Sequence, residues 1–257
     1  MVRYTRAVAK ISGRAFAGPE EWGTDPDSLA HLAEEILAVH RSGTQIAAVI
    51  GGGNYARGRS AHVWGIDRAE ADDLGMLGTV MNALLLRGAL RAHGGPDVRV
   101  MTAIPMHPVA EPYVRQRADR HLRYERIVLL GGGIGLPYAS TDHAAVQRAL
   151  ELGAEVLLVA KHGVDGVFDA DPRTHPDAKR YSRLPYDQAI NLRLAVMDAT
   201  ALVLAEEYGL PMHVFNATAD GAMRAICQGA DIGTRLTGDG PRRPEHRSGT
   251  QQDAQPH

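Results

Sequence analysis

Two lysines, two glycine-rich turns and an arginine are the residues in this chain best suited to handling phosphate. Gly51-Gly52-Gly53-Asn54 follows directly on the apolar run Ile46-Ala47-Ala48-Val49-Ile50. That pattern reads as a buried strand feeding a tight loop. Lacking Cβ atoms, such a loop can bring backbone N–H groups close to an anion. Arg57, four residues on, offers a forked donor to phosphate oxygens. Lys10-Ile11-Ser12-Gly13 ends another strand-like run, and Lys161 ends a third, just before Gly163. Two lysines at strand ends can neutralise a transferring phosphoryl group from two sides. Taken singly, each lysine also reads as a solvated strand end, and each glycine loop as a plain turn. Asp142 opens a helix, where it serves as a cap or dipole partner, orients the lysines, or holds Mg²⁺. Phe168 and Asp171, in the run Val164 to Pro172, offer a stacking ring and an acceptor for a ribose or a base. The plain alternative is a turn with a buried Phe.

The elements that must position these residues alternate. Strand-like runs cover Ala7 to Ile11, Ile46 to Ile50, Val98 to Met101, Ile127 to Leu130, Val156 to Ala160 and Met212 to Phe215. Helical patterns lie between them. The first has Pro26 at its first position and Thr24 or Asp25 as cap, with an apolar stripe of Leu29, Leu32, Ala33, Ile36 and Leu37. Others span about Asp67 to His93, Glu111 to Leu122, Thr141 to Leu152, Tyr186 to Tyr208 and Ala219 to Gln228. Such alternation predicts a mostly parallel sheet with helices on both faces. Ligands then bind at the carboxyl ends of the strands. The Gly51 loop, Gly131-Gly132-Gly133 and Lys161-His162-Gly163 all fall there. Residues 1–237 read as one domain. The stretch 238–257 is rich in Pro, Arg, Gln and Gly and reads as a disordered tail.

Composition narrows the function classes. The 257 residues are 44% hydrophobic and 23% charged, an ordinary globular balance. A net charge of -2 gives no general drive toward nucleic acid or membrane. No apolar run reaches the roughly 20 residues of a membrane span. The first residues carry no signal-peptide pattern, so cytoplasm is the expected compartment. Cys227 is the only cysteine, which rules out an intrachain disulfide and a cysteine metal cluster. The twelve histidines are scattered, and no direct metal motif occurs. P-loop, protein-kinase and Gly-x-Ser-x-Gly signatures are missing as well.

In order along the chain, these pieces resemble bacterial uridylate (UMP) kinases of the amino acid kinase superfamily, from about Ala7 to Leu236. The runs that carry the resemblance are Lys10 to Gly13, Gly51 to Gly58, Ala71 to Asn82, Glu111 to Arg115, Val164 to Pro172, Val196 to Asp198 and Ile232 to Thr234. The Asp72 to Asn82 and Val164 to Pro172 runs are distinctive of that subfamily. The resemblance implies a three-layer α/β/α sandwich with a central mostly parallel sheet. It also implies transfer of the ATP γ-phosphoryl group to UMP with Mg²⁺, a step of pyrimidine nucleotide biosynthesis. Carried over, Lys10, Ser12, Gly13, Gly53 and Arg57 hold ATP phosphates, and His162, Phe168 and Asp171 form the adenosine side. Gly52 and Asp72 contact UMP, and the loop Gly133, Ile134, Gly135, Leu136, Pro137, Tyr138, Ser140 and Thr141 encloses the rest of it. Lys161, Asp142 and Asp198 match residues near the catalytic centre.

The acceptor loop departs from the family pattern. Ile134 stands for a Thr and Leu136 for an Asn, so two polar groups expected to face the acceptor become aliphatic. Arg14 replaces a Glu after Ser-Gly, and His162 stands where Asn is common. These changes keep two further readings open: a paralogous kinase for another phosphate or phosphonate acceptor, and a non-catalytic nucleotide-binding storage or regulatory protein. The family implies hexamers built from dimers. The helix from Asp67 to His93 is apolar on more than one side, which suits a subunit interface.

Overall fold

Each apolar run of the sequence is a strand of one sheet in the computed structural model, which describes residues 3–238 apart from 21, 195 and the side chain of Arg59. The tail expected from 238 lies outside the described residues from 239 onward. In chain order the elements are β1 (Arg6–Ile11), α1 (Arg14–Ala17), α2 (Pro26–Arg41), β2 (Gln45–Ile50), α3 (Ala61–Trp64), α4 (Arg68–Ala92), β3 (Val98–Thr102) and β4 (Glu111–Pro112). They continue with α5 (Arg115–Arg123), β5 (Ile127–Gly131), α6 (Thr141–Glu151), β6 (Val156–Lys161), β7 (Val167–Phe168), β8 (Arg180–Tyr181) and β9 (Arg183–Pro185). The last are α7 (Tyr186–Asn191), α8 (Ala199–Glu207), β10 (Met212–Asn216), α9 (Ala222–Cys227) and β11 (Thr234–Thr237).

Nine strands form one sheet in the order β4-β3-β5-β2-β1-β6-β10-β11-β9, and β7 pairs with β8 in a separate hairpin. Every pairing in the large sheet is parallel except β10 with β11. Ala7, Ala9 and Ile11 point to one face, where Phe16, Leu32, Ile36, Leu86, Leu90 and Met223 bury them under α1, α2, α4 and α9. Val8, Val49 and Val159 point to the other, under Leu122 of α5, Ala145 and Ala149 of α6, and Leu202 of α8. This is the three-layer α/β/α sandwich. Each fully buried Leu or Ile contributes roughly 1.5–3 kcal/mol, so both faces hold the sheet.

Helix ends follow their capping chemistry. Asp25, not Thr24, caps α2, accepting from Ser28 N at 2.8 Å, with Pro26 at the first position. Asp67 and Glu70 form a reciprocal capping box on α4. Two expected helices are corrected. The stretch from Glu111 begins as β4, because Glu111 and Pro112 pair with Met101 and Thr102, and the helix starts only at Arg115. The span from Tyr186 to Tyr208 is two helices. Arg193 takes a positive φ of 50° after α7, and Asp198 restarts the chain as the cap of α8.

His213 lies in β10, 1% exposed, beside the Tyr4 ring. Burial pushes its imidazole down to about 4, helped by Arg235 and Arg3. The unfolded chain therefore takes up a proton near pH 6.5 that the native state refuses until about 4. Stability is full above pH 6.5 and is lost as pH falls through that window, by up to about 3 kcal/mol. His213→Leu is expected to flatten this acid limb, measured as urea midpoints between pH 7 and 4.5. An unchanged limb would show that other groups carry it.

Candidate active site

Register and side-chain alternation bring the two lysines together. Ile11 pairs with Ala160 across β1 and β6, so Lys10 and Lys161 end adjacent parallel strands. Lys10 alternates with Ile11 and so shares the face of Val8, while Lys161 shares the face of Val159. That is the face covered by α6, whose first turn carries Asp142. Lys10 Nζ lies 2.8 Å from Asp142 Oδ1, with both side chains mostly buried. Asp198 N donates to Asp142 Oδ2 at 3.3 Å, so the cap of α8 joins the same cluster. Burial lowers the Lys161 ammonium below the ordinary lysine value, and neighbouring Lys10 adds to this; Asp142 and Asp198 oppose it. Four of the five expected catalytic residues thus gather at the carboxyl ends of β1 and β6.

The two phosphate-type turns lie against each other. Gly51 N donates to Ile11 O at 2.8 Å. A Cβ on Gly13 would sit 2.5 Å from Gly53 N and 2.7 Å from Asn54 Oδ1, and one on Gly51 only 2.6 Å from Gly13 N. Only glycine permits backbones this close. Beneath them Asn82 Nδ2 donates to Asn54 Oδ1 at 2.7 Å and to Gly51 O at 2.8 Å, and Asn54 Nδ2 donates to Gly23 O at 2.6 Å. Buried amides satisfied in this way fix the loop's shape. Arg57, half-buried, donates from Nε to Gly53 O at 2.9 Å. Ser12 accepts from Arg14 N at 3.4 Å, so Arg14 starts the short α1 beside this turn.

Gly52 is buried against α4, where Gly75, Gly78 and Thr79 line its Cα. Asp72 of α4 accepts from Arg68 Nε at 2.9 and 3.0 Å and from Tyr138 N at 2.9 Å. Tyr138, at φ 62° and 73% exposed, carries the Arg68 guanidinium 5.5 Å from its ring centroid. Asp72 is therefore brought to the acceptor loop from Gly133 to Thr141. Within that loop Ser140 caps α6 through His143 N at 3.2 Å, and Thr141 is the first residue of the helix. Gly133, Gly135 and Pro137 shape the turn, with Gly133 and Gly135 at positive φ. Leu136 is 60% exposed, and Ile134 is partly buried against the second core cluster, which Tyr113 also meets. An aliphatic side chain suits that packing.

The adenosine-side residues lie past the end of β6. His162 is half-buried on the turn, and half-buried Phe168 pairs with Arg180 in the β7–β8 hairpin. Asp171 is exposed. Arg173 grips both its oxygens at 2.8 and 3.0 Å and holds its carboxyl down to about 2. Sequence reasoning gave no role to Thr79, whose hydroxyl accepts from Gly132 N at 2.6 Å, nor to Asn54, Asn82 and Arg68. Asn54 and Asn82 stood in the quoted runs, but their mutual contact has no local signal. Arg68 had one, its i,i+4 spacing from Asp72.

The sequence profile of the amino acid kinase family matches residues 5–216. The chain belongs to this family. Among curated members it is 54% identical to a uridylate kinase of Frankia alni over 91% of both chains. It is 45% identical to a uridylate kinase of Pediococcus pentosaceus over 93% of this chain and 98% of the relative. The crystal structure of UMP kinase from Bacillus anthracis superposes with a TM-score of 0.89 at 47% identity, covering 92% of this chain and 97% of that one. This member of the amino acid kinase family therefore resembles uridylate kinases over nearly all of its described length.

Proposed function

We propose that this chain transfers the γ-phosphoryl group of ATP to UMP, giving UDP and ADP. The observation that carries the reading is the Lys10–Asp142 pair beside Lys161, on a chain 45–54% identical to uridylate kinases. The acceptor is a phosphate oxygen, largely ionised at pH 7 because its second pKa is roughly 6. It needs no general base. It attacks the γ-phosphorus in line, and the bridging oxygen leaves on ADP. The protein's task is to hold two anions together and neutralise them. Lys10 and Lys161 supply charge from adjacent strand ends. Ser12, Gly13, Gly53 and Arg57 hold ATP phosphates, and His162, Phe168 and Asp171 take the adenosine. Asp142 and Asp198 keep the lysines oriented. Gly52, Asp72 and the loop from Gly133 to Thr141 take UMP. Among the described residues no group of three or more His, Cys, Asp or Glu side chains could hold a metal ion. Mg²⁺ would enter with ATP as part of the substrate, where it would neutralise phosphate charge, with Asp142 and Asp198 the carboxylates nearest the lysines. A coupled ADP-release assay across UMP, CMP, dUMP and small phosphonates tests the reading. UMP is expected to give the highest kcat/KM. No turnover with UMP, alongside turnover of another acceptor, would overturn it.

The surface of α4 supports a proposal on assembly. Leu74, Leu77, Met81 and Leu85 recur every three to four residues along it and are each 42–48% exposed. Trp64 and Val63 extend the apolar surface. A stripe of this kind fits burial against a second copy, and a hexamer built from dimers is the proposed state. Leu77→Asp is expected to lower the mass seen by light scattering at micromolar concentration. A wild-type monomer there would refute the assembly. A cytoplasmic location, where nucleotide substrates are at hand, is part of the same proposal. Among the described residues no helix is long and apolar enough to cross a membrane.

A further inference from the structure

Arg148 belongs to α6, the helix whose first turn carries Asp142, and is only 7% exposed. A buried guanidinium is costly unless its donors are used. Its plane lies over the Tyr113 ring, 3.7 Å from Cζ to centroid. Its Nη1 is 2.8 Å from Glu151 Oε2, the same oxygen that accepts from Tyr113 Oη at 2.5 Å. Gln147 Nε2 donates to the other Glu151 oxygen at 2.9 Å. Burial and the Glu151 contact push the Tyr113 phenol above its ordinary value, so it stays a donor. Burial acts to raise the Glu151 carboxyl, but the bonds from Tyr113 and Arg148 outweigh it and hold the group ionised. Tyr113 itself is pinned by its N–H on Thr102 O at 2.9 Å. The result is a stiff platform that joins α6 to the start of α5.

The platform reaches the acceptor loop. Arg148 Nη2 donates to Gly133 O at 3.4 Å. Ile134, the next residue, packs against the same core cluster as Tyr113. The loop is tied on either side of this point, by Thr79 Oγ1 to Gly132 N and by Asp72 Oδ2 to Tyr138 N. A helical Arg–Glu pair at i,i+3 needs neither a buried tyrosine nor a carbonyl from a distant loop to exist. A rigid fork that uses one nitrogen on Glu151 and the other on Gly133 transmits the position of α6 to the loop.

Resting on the proposed phosphotransfer to UMP, we propose that Arg148, stacked on Tyr113 and paired with Glu151, is a positioning residue that sets the acceptor loop through Gly133. It touches neither substrate. It places the loop relative to Asp142 on the same helix, and so the acceptor phosphate relative to the lysines. This gives Ile134 a role as well. Its aliphatic side chain, packed against the core cluster that Tyr113 also meets, helps to seat the loop.

The test is steady-state kinetics of Arg148→Lys and Tyr113→Phe with each substrate varied in turn. Lysine keeps the charge toward Glu151 but loses the stacked plane and the second donor. Arg148→Lys is expected to raise the acceptor KM about tenfold and to leave the ATP KM within about twofold, since a loop misplaced by an ångström disturbs only what it holds. Tyr113→Phe, which keeps the stack, is expected to move the acceptor KM the same way by about threefold. A purely structural role would move both KM values together or neither, and either outcome overturns the proposal. Amide exchange gives a readout without turnover. In Arg148→Lys, residues 132–138 are expected to exchange about tenfold faster while residues 51–57 do not change. Unaltered exchange at 132–138 overturns the proposal too. A wild type inactive with UMP would count against the proposed acceptor, and the exchange result would still decide the role of Arg148.

Discussion

Lys10→Ala is expected to lower kcat by about 10²–10³, the usual consequence of removing one pre-placed charge from a developing anion. Lys10 Nζ sits 2.8 Å from Asp142 at the end of β1, just before the Gly13 turn that packs against the Gly51 loop. The loss should appear in kcat, because the charge matters most when the γ-phosphoryl is between donor and acceptor. The fold should survive. Asp142 keeps Lys161 as a neighbouring cation and Asp198 N as a donor. A shift in Tm of only a few degrees, corresponding to about 1 kcal/mol, is expected alongside. The coupled assay and a thermal melt check both halves. A variant within threefold of wild type would remove Lys10 from the chemistry, and with it the mechanism proposed above. Retained nucleotide binding with no wild-type turnover on any acceptor would instead favour a non-catalytic role.

Gly52→Ala is expected to cost about 1–3 kcal/mol, the range for overpacking a filled site. The new Cβ would overlap the Gly75 carbonyl oxygen and lie 2.7 Å from Thr79 N. Both atoms belong to the backbone of α4, which is 25 residues long and packed against α2, so it cannot yield locally. Either the end of β2 backs away or α4 shifts outward. Both movements disturb Asn82 on Gly51 and Thr79 on Gly132, so both glycine loops lose their seats. A Tm lowered by about 3–10 °C and a reduced kcat/KM for both substrates are expected. If Gly52 served only as a contact for the acceptor, Tm would be unaffected and the ATP KM would not change.

Both predictions rest on parts of the molecule that were unequally legible in the sequence. The strand-like runs were readable because each is short, mostly apolar and bounded by a glycine, a proline or a polar or charged residue, and the six expected strands all form. The Asp25 cap and Pro26 start were readable for a similar reason, since capping is a contact between residues three apart. The two misread helices failed where long-range pairing overrode local pattern. Glu111-Pro112 is drawn into the sheet by β3, and the stretch from Tyr186 breaks at Arg193. The small strands β9 and β11 were missed because three or four residues carry too little periodicity.

The sequence by itself determined the alternation of strands and helices, the glycine turns at strand ends, and the family. These depend on residue type and on spacings of two to four, which act within a few residues of chain. Tertiary structure decided which turns face each other and what holds them. Lys10 meets Asp142 across 132 residues of chain, Thr79 meets Gly132 across 53, and Arg148 meets Gly133 across 15. None of these pairs leaves a local signature, because each depends on how strands are ordered in the sheet and on which helix face the sheet receives. Ile134 is a further case: its letter alone suggested an altered acceptor pocket, and only the tertiary structure adds that it also packs against the second core cluster.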